Sequence, residues 1–226
     1  MQIRRSLAGM VFALATLVLG GTAQAASFTL ADLVGGTGFD SDNGLLSFSN
    51  FSAILSSGLD QDLTKYTVTT LDDGFELVGP IGAADGEQDD LVLKYDVAAT
   101  NAGGLIVSAS LFFNGQILPA ISGLSASIAE DFFVDDDLVG SMFVARTGGG
   151  LNQPSADILF APGHSALSVE KDILVDAIVA NGSSDGTIAA ISIVRQRYEV
   201  VPGPATALLL GSGLGGLAIL GRRRSR

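Results

Sequence analysis

Between Ala26 and Val201, apolar and polar side chains alternate over short runs, and Gly, Asn and Asp interrupt the alternation about every ten residues. A period of two puts apolar side chains on one face of an extended chain and polar ones on the other, whereas a helix needs apolar positions three and four apart. Leu91, Leu93, Tyr95 and Val97 thus share one strand face, with Val92, Lys94 and Asp96 on the other. Tyr66–Leu71 and Gly74–Val78 flank Asp72-Asp73-Gly74, a hairpin signal because Asp and Gly accept positive φ. Further strands are expected over Leu45–Phe51, Leu105–Phe112, Asp131–Val134, Leu138–Ala145, Ala166–Val175 and Thr187–Tyr198, the last two pairing through the turn at 181–186. One helical turn is expected around Ser52–Ser57. The pattern is weakest at Gly148-Gly149-Gly150 with Asn152-Gln153-Pro154, a loop or a flexible insertion, and over the stretch from Ala98 to Gly104.

This pattern predicts an all-β body, an antiparallel β-sandwich of Ig-like or jelly-roll-like form, over residues 26–200. That length suffices for one self-sufficient core.

Helical periodicity is sustained only at the two ends, where the charges also change sign. All 24 acidic residues lie between Asp32 and Glu199, while six of the 12 basic ones lie outside that span. The body therefore carries six basic residues against 24 acidic ones, a net of −18. Without clustered Lys and Arg it has no surface for phosphate contacts, so nucleic acid is excluded as a partner. The absence of Cys removes disulfides, thiolate metal sites, Cys nucleophiles and lipidated anchors.

Residues 1–25 have the order of a secretory signal peptide: a basic head (Arg4, Arg5), an apolar run from Leu7 to Leu19, and small residues at Ala23 and Ala25. Signal peptidase is expected to cut after Ala25, leaving Ala26 as the new N-terminus. At the other end, Ala205–Leu220 is uncharged and is followed by Gly221 and then Arg222, Arg223 and Arg224. A helix over this run would cover about 24 Å, a little under the roughly 30 Å hydrocarbon core. It is expected to be a single transmembrane helix over 205–221, with the arginines as the stop-transfer signal that keeps the tail cytoplasmic. Gly211-Ser212-Gly213-Leu214-Gly215-Gly216 spells G-x-G-x-x-G, but no strand precedes it and no βαβ unit follows, so dinucleotide binding is rejected. Gly211 and Gly215 instead suit close approach between membrane helices.

Val201-Pro202-Gly203-Pro204-Ala205-Thr206, the Leu-, Ala- and Gly-rich helix and the terminal arginines together resemble the PEP-CTERM sorting signal of Gram-negative bacteria. The resemblance implies an exported protein whose motif at Pro202, Gly203 and Pro204 is read by an exosortase, a membrane-embedded processing enzyme. It also implies a cell-surface or exopolysaccharide-associated setting. Gly203 stands where the family motif carries Glu. The firm resemblance covers residues 201–226; the alternative is the same helix kept uncut as a plain membrane anchor.

Within the body, chemistry is sparse. Gly163-His164-Ser165 begins like a nucleophile elbow but lacks the closing glycine, and His164 is the sole imidazole, so it is assigned to a loop after Pro162-Gly163. No catalytic residue is expected and the protein is not expected to be an enzyme. Asp85, Glu87, Asp89 and Asp90 place carboxylates near a glycine, as calcium coordination requires; Asp40-Ser41-Asp42-Asn43-Gly44 does so on a smaller scale, and Asp135-Asp136-Asp137 is a third cluster. Calcium is the one cofactor this suggests, set against solvated acidic loops that keep an exported protein soluble. Two functions remain: a structural module of the extracellular matrix, and an adhesive module that binds polysaccharide or calcium. The lack of Trp and the presence of only three Tyr weigh against the second.

Overall fold

The computed structural model describes residues 25–101, 103–179 and 182–203. Residues 1–24 of the expected signal peptide, Ala23 among them, the sorting residue Pro204, the helix expected over 205–221 and Arg222, Arg223 and Arg224 lie outside the described residues. Among those described, no helix is long and apolar enough to cross a membrane.

The body is built of strands β1 (Ser27–Thr29), β2 (Phe39–Asp40), β3 (Leu46–Leu55), β4 (Thr67–Leu71), β5 (Gly74–Ala84), β6 (Gln88–Ala99), β7 (Leu105–Leu118), β8 (Ser125–Val134), β9 (Asp137–Thr147), β10 (Asn152–Gln153), β11 (Ser155–His164), β12 (Ala166–Asp176) and β13 (Ile188–Val201). One short helix, α1 (Leu30–Val34), follows β1, and a 3-10 turn spans Leu63–Lys65. All pairings are antiparallel. A six-stranded sheet runs β1-β4-β5-β13-β7-β11 and a seven-stranded sheet runs β10-β9-β8-β12-β6-β3-β2. The two bury their apolar faces against each other, as the period-two pattern requires: Leu91, Leu93, Tyr95 and Val97 of β6 are all buried, as are Leu167, Val169, Ile173 and Val175 of β12. At one end the core is aromatic, with Phe39, Phe48, Phe51, Phe75, Tyr95 and Tyr198 in contact, Phe39 stacked on Phe48 and Phe75 edge-on to Tyr95.

Several details differ from expectation. Asn152-Gln153, expected in a loop or insertion, pairs with β9 as β10, and Ser155–His164 forms β11, a strand outside the expected set. Ala166–Val175 and Thr187–Tyr198 do not pair: β12 and β13 lie in opposite sheets, because β12 is already hydrogen-bonded on both edges, to β6 and β8. Ser52–Leu55 is strand, not a helical turn, and the only α-helix among the described residues is α1, started by a Thr29–Asp32 capping box. His164 is the last residue of β11, paired with Ile106, instead of a loop residue.

The acidic stretches are mostly turn devices. Asp135 and Asp136 have φ of 50° and 69° and connect β8 to β9 with Val134 opposite Asp137, the two-residue primed turn that matches strand twist. Asp85 and Gly86, with φ of 50° and 88°, make the same kind of turn between β5 and β6, closed by the Glu87 amide donating to the Ala84 carbonyl. The β4–β5 hairpin forms as expected, but neither Asp72 nor Asp73 has positive φ. Gly74 is there because a side chain at that position would run into the Gln196 backbone of β13.

Candidate functional site

The outer face of the seven-stranded sheet carries a groove. Its floor is β6 and β12, where Lys94, Asp96, Ser168 and Glu170 point outward, opposite the buried Tyr95, Val97, Leu167 and Val169. One wall comes from the end of β8 and its turn, with Phe133 and Asp136, and the other from Asn50 and Ser52 of β3. This cleft measures about 390 Å³ and continues into a second of about 440 Å³ bounded by Ser49, Asp135 and Ser165, the two sharing Asp96, Phe133 and Ser168.

A bulge builds the β3 wall. β3 pairs Ser49 with Asp96 and Ser52 with Lys94, so one extra residue is accommodated on β3, and Asn50 sits there with φ of 55°. The bulge turns Asn50 out to the groove while Phe51 enters the core. Asn50 Nδ2 donates to Asp96 Oδ2 at 2.7 Å, and Ser168 Oγ donates to Asp96 Oδ1 at 2.7 Å, so the central carboxylate is fixed by a neighbour on each side. Lys94 and Glu170 form a half-exposed ion pair at 2.7 Å, of a kind that holds orientation more than it adds stability. The result is an open row of donors and acceptors flanked by one half-buried aromatic ring.

The predicted calcium ligands do not come together. Asp85 Oδ1 accepts from the Gly186 amide at 2.7 Å; Glu87 is exposed; Asp89 turns into the sandwich, where Ser56 Oγ donates to its Oδ1 at 2.7 Å; Asp90 is held through its backbone by Ser56. Among the described residues no three His, Cys, Asp or Glu side chains converge as a metal site. In the smaller cluster, Ser41 Oγ donates to Asn43 Oδ1, whose oxygen also takes the Leu45 amide, and Thr70 donates to Asp42.

At the termini of the body, Ala26 is tied into the sheet, its amide donating to Thr70 Oγ1 at 2.8 Å and its carbonyl accepting from the Thr70 amide. Ala25 is exposed. Beyond β13, Pro202 is exposed and Gly203 is buried against Gly103, where a side chain of any kind would collide with backbone. Glycine at position 203 thus has a packing reason in this chain.

A second polar cluster lies in the middle of the core. Lys171 of β12 and Glu130 of β8, both with no solvent exposure, pair at 2.7 Å. Lys171 Nζ also donates to Gln196 Oε1 of β13 at 2.9 Å, across the sandwich. The Tyr95 hydroxyl lies 3.3 Å from Glu130 Oε1 and 2.7 Å from the Tyr198 hydroxyl. Burial pushes the Glu130 carboxyl up and the Lys171 ammonium down from their ordinary values, and each partner's charge opposes this only in part. Glu130 Oε2 and Gln196 Nε2 are buried without a hydrogen-bond partner.

The class these features define is a two-sheet antiparallel β-sandwich with an open polar groove on one sheet and a buried polar cluster between the sheets. No family model matches the sequence, and no curated protein is significantly similar to it. Among solved structures, TmCBM61 in complex with β-1,4-galactotriose is similar over 67% of this chain and 90% of its own, at 12% identity and a TM-score of 0.35. The VP2 protein of infectious bursal disease virus is similar over 65% of this chain and 38% of its own, at 17% identity and 0.30. An arabinose-bound α-L-arabinofuranosidase, MgGH51, is similar over 78% of this chain and 25% of its own, at 13% identity and 0.26.

Proposed function

We propose that this is an exported, non-catalytic surface protein whose sandwich body binds an uncharged polysaccharide along the outer groove of the seven-stranded sheet. The observation that carries the reading is Asp96, held by Asn50 and Ser168 at the centre of an open row of polar side chains with Phe133 beside it. Sugar hydroxyls are matched by fixed donors and acceptors, and the apolar face of a sugar ring by an aromatic one. The net charge of −18 on the body disfavours an anionic polymer and leaves an uncharged one. The winding of β5, β6, β7, β8, β9, β11, β12 and β13 between the sheets reads as a jelly roll, a frame that tolerates such an open face. Delivery is through the N-terminal signal peptide, and the Pro202-Gly203-Pro204 segment with its apolar helix and arginines is the sorting signal of an exosortase-like enzyme, placing the body at the cell surface or in an exopolysaccharide matrix.

Affinity electrophoresis of the full chain in gels containing galactan, xylan or cellulose derivatives tests the body's role. Retardation in at least one gel is expected, with Asp96→Ala weakening it about tenfold through loss of the charged acceptor; no retardation in any gel removes the reading. For the tail, the intact mass of protein recovered from the cell surface should end near Pro202–Ala205. A species retaining Arg222–Arg226 would leave the uncut anchor.

A further inference from the structure

We propose that Lys171 and Gln196 join in an intramolecular isopeptide bond that staples the two sheets, with Glu130 carrying the protons. Nucleophile and electrophile are adjacent: Nζ is 2.9 Å from the carbonyl oxygen of the Gln196 side chain, and Glu130 Oε1 is 2.7 Å from Nζ. All three side chains have no solvent exposure, and Tyr95 and Tyr198 close the site from the side. Water, the competitor for the same carbonyl, is kept out.

The site is also poised in charge. An ammonium cannot attack, but burial drives the Lys171–Glu130 pair toward the neutral amine and carboxylic acid. The amine nitrogen adds to Cδ of Gln196 and the carbonyl π pair moves onto Oε1. Glu130 gives its proton to Nε2 and takes one from Nζ. The Oε1 pair re-forms the carbonyl as the Cδ–Nε2 bond breaks, and that bond's electrons leave with ammonia. An amine and a primary amide become a secondary amide and ammonia, Glu130 ends as it began, and no oxidant or metal is required.

Two orphaned atoms fit this course. Gln196 Nε2, buried without a partner, is the leaving group and is absent from the product; Glu130 Oε2, also unpartnered, is a free oxygen for the proton relay. The product also removes a buried charge pair, which in a core is no better than an apolar filling of the same shape. In a chain with no Cys, such a bond takes the place of a disulfide between sheets.

Intact-mass measurement and peptide mapping of the full chain, checked for fold by circular dichroism, test the proposal. The protein should be lighter by one ammonia than its measured termini define, with a branched peptide joining Lys171 to Gln196. Lys171→Met and Gln196→Leu should each restore the full mass. Glu130→Gln, which keeps both reacting side chains, should leave the chain unbranched or slow branching at least tenfold, with Glu130→Asp recovering part of the rate. Folded wild-type protein at full mass, with separate Lys171 and Gln196 peptides, overturns the proposal, as does loss of ammonia anywhere else in the chain.

Discussion

Single positions in this protein are set by how close two backbones or two rings must come. Gly74 and Gly203 have no room for a Cβ against β13 and Gly103 respectively, so each is fixed by contact and not by turn geometry. The tyrosines are held in a comparable way. Tyr66 is pushed up to about 12, first by burial and then by the charges of Asp60 and Asp89. Tyr95 and Tyr198 are raised well above 10.0, mainly by burial in the core. A folded-state pKa above the unfolded one means stability that is complete below pH 10.0 and is lost as pH rises through the folded values. Since these are the three tyrosines of the chain and it has no Trp, near-ultraviolet titration reads them directly. Tyrosinate should be absent at the ordinary value and should appear together with cooperative unfolding; a tyrosine ionising near pH 10 in folded protein would contradict the packing of these rings.

At the level of elements, turns decide which strands meet. The β8–β9 turn places two aspartates in the left-handed region, which Asn and Gly tolerate better. Changing Asp135→Asn with Asp136→Gly should stabilise the body by about 1 kcal/mol, read as a rise in thermal midpoint; a fall would mean the aspartate side chains support the turn. The alternation in β6, β12 and β13 and the β4–β5 hairpin were visible because each is a local pattern. The end of β3 was misleading because the bulge at Asn50 shifts the phase of the alternation, so that Phe48, Phe51 and Leu55 acquire helix-like spacing. β11 was hidden because Ala161, Pro162 and Gly163 interrupt it; such residues are tolerated at a sheet edge, where β11 lies. The groove and the buried cluster were illegible for a different reason. Asn50, Asp96, Ser168 and Phe133 come from four strands, and the partners of Lys171, which lies on the inward phase of Leu167, Val169, Ile173 and Val175, come from β8 and from β13 of the opposite sheet.

For the molecule as a whole, the mechanical consequence of its last strand follows from where that strand sits. β13 is hydrogen-bonded on both edges, to β5 and β7, and its end is wedged at Gly203 against Gly103. A body tethered through the residues that follow would take its load along β13, so a pull must shear two full ladders together instead of peeling one bond at a time. The Lys171–Gln196 staple would then pass that load from residue 196 to residue 171 and keep the 25-residue stretch between the stapled positions from lengthening. Stretching single molecules from their ends should therefore give a contour shorter by roughly 9 nm than the sequence allows, at about 3.5 Å per residue, and Lys171→Met should restore the full length. A wild-type molecule that extends fully would show the sheets to be held by packing and hydrogen bonds alone. A surface protein stapled in this way would lengthen less under flow, because part of the load would cross from one sheet to the other through a covalent bond instead of through packing.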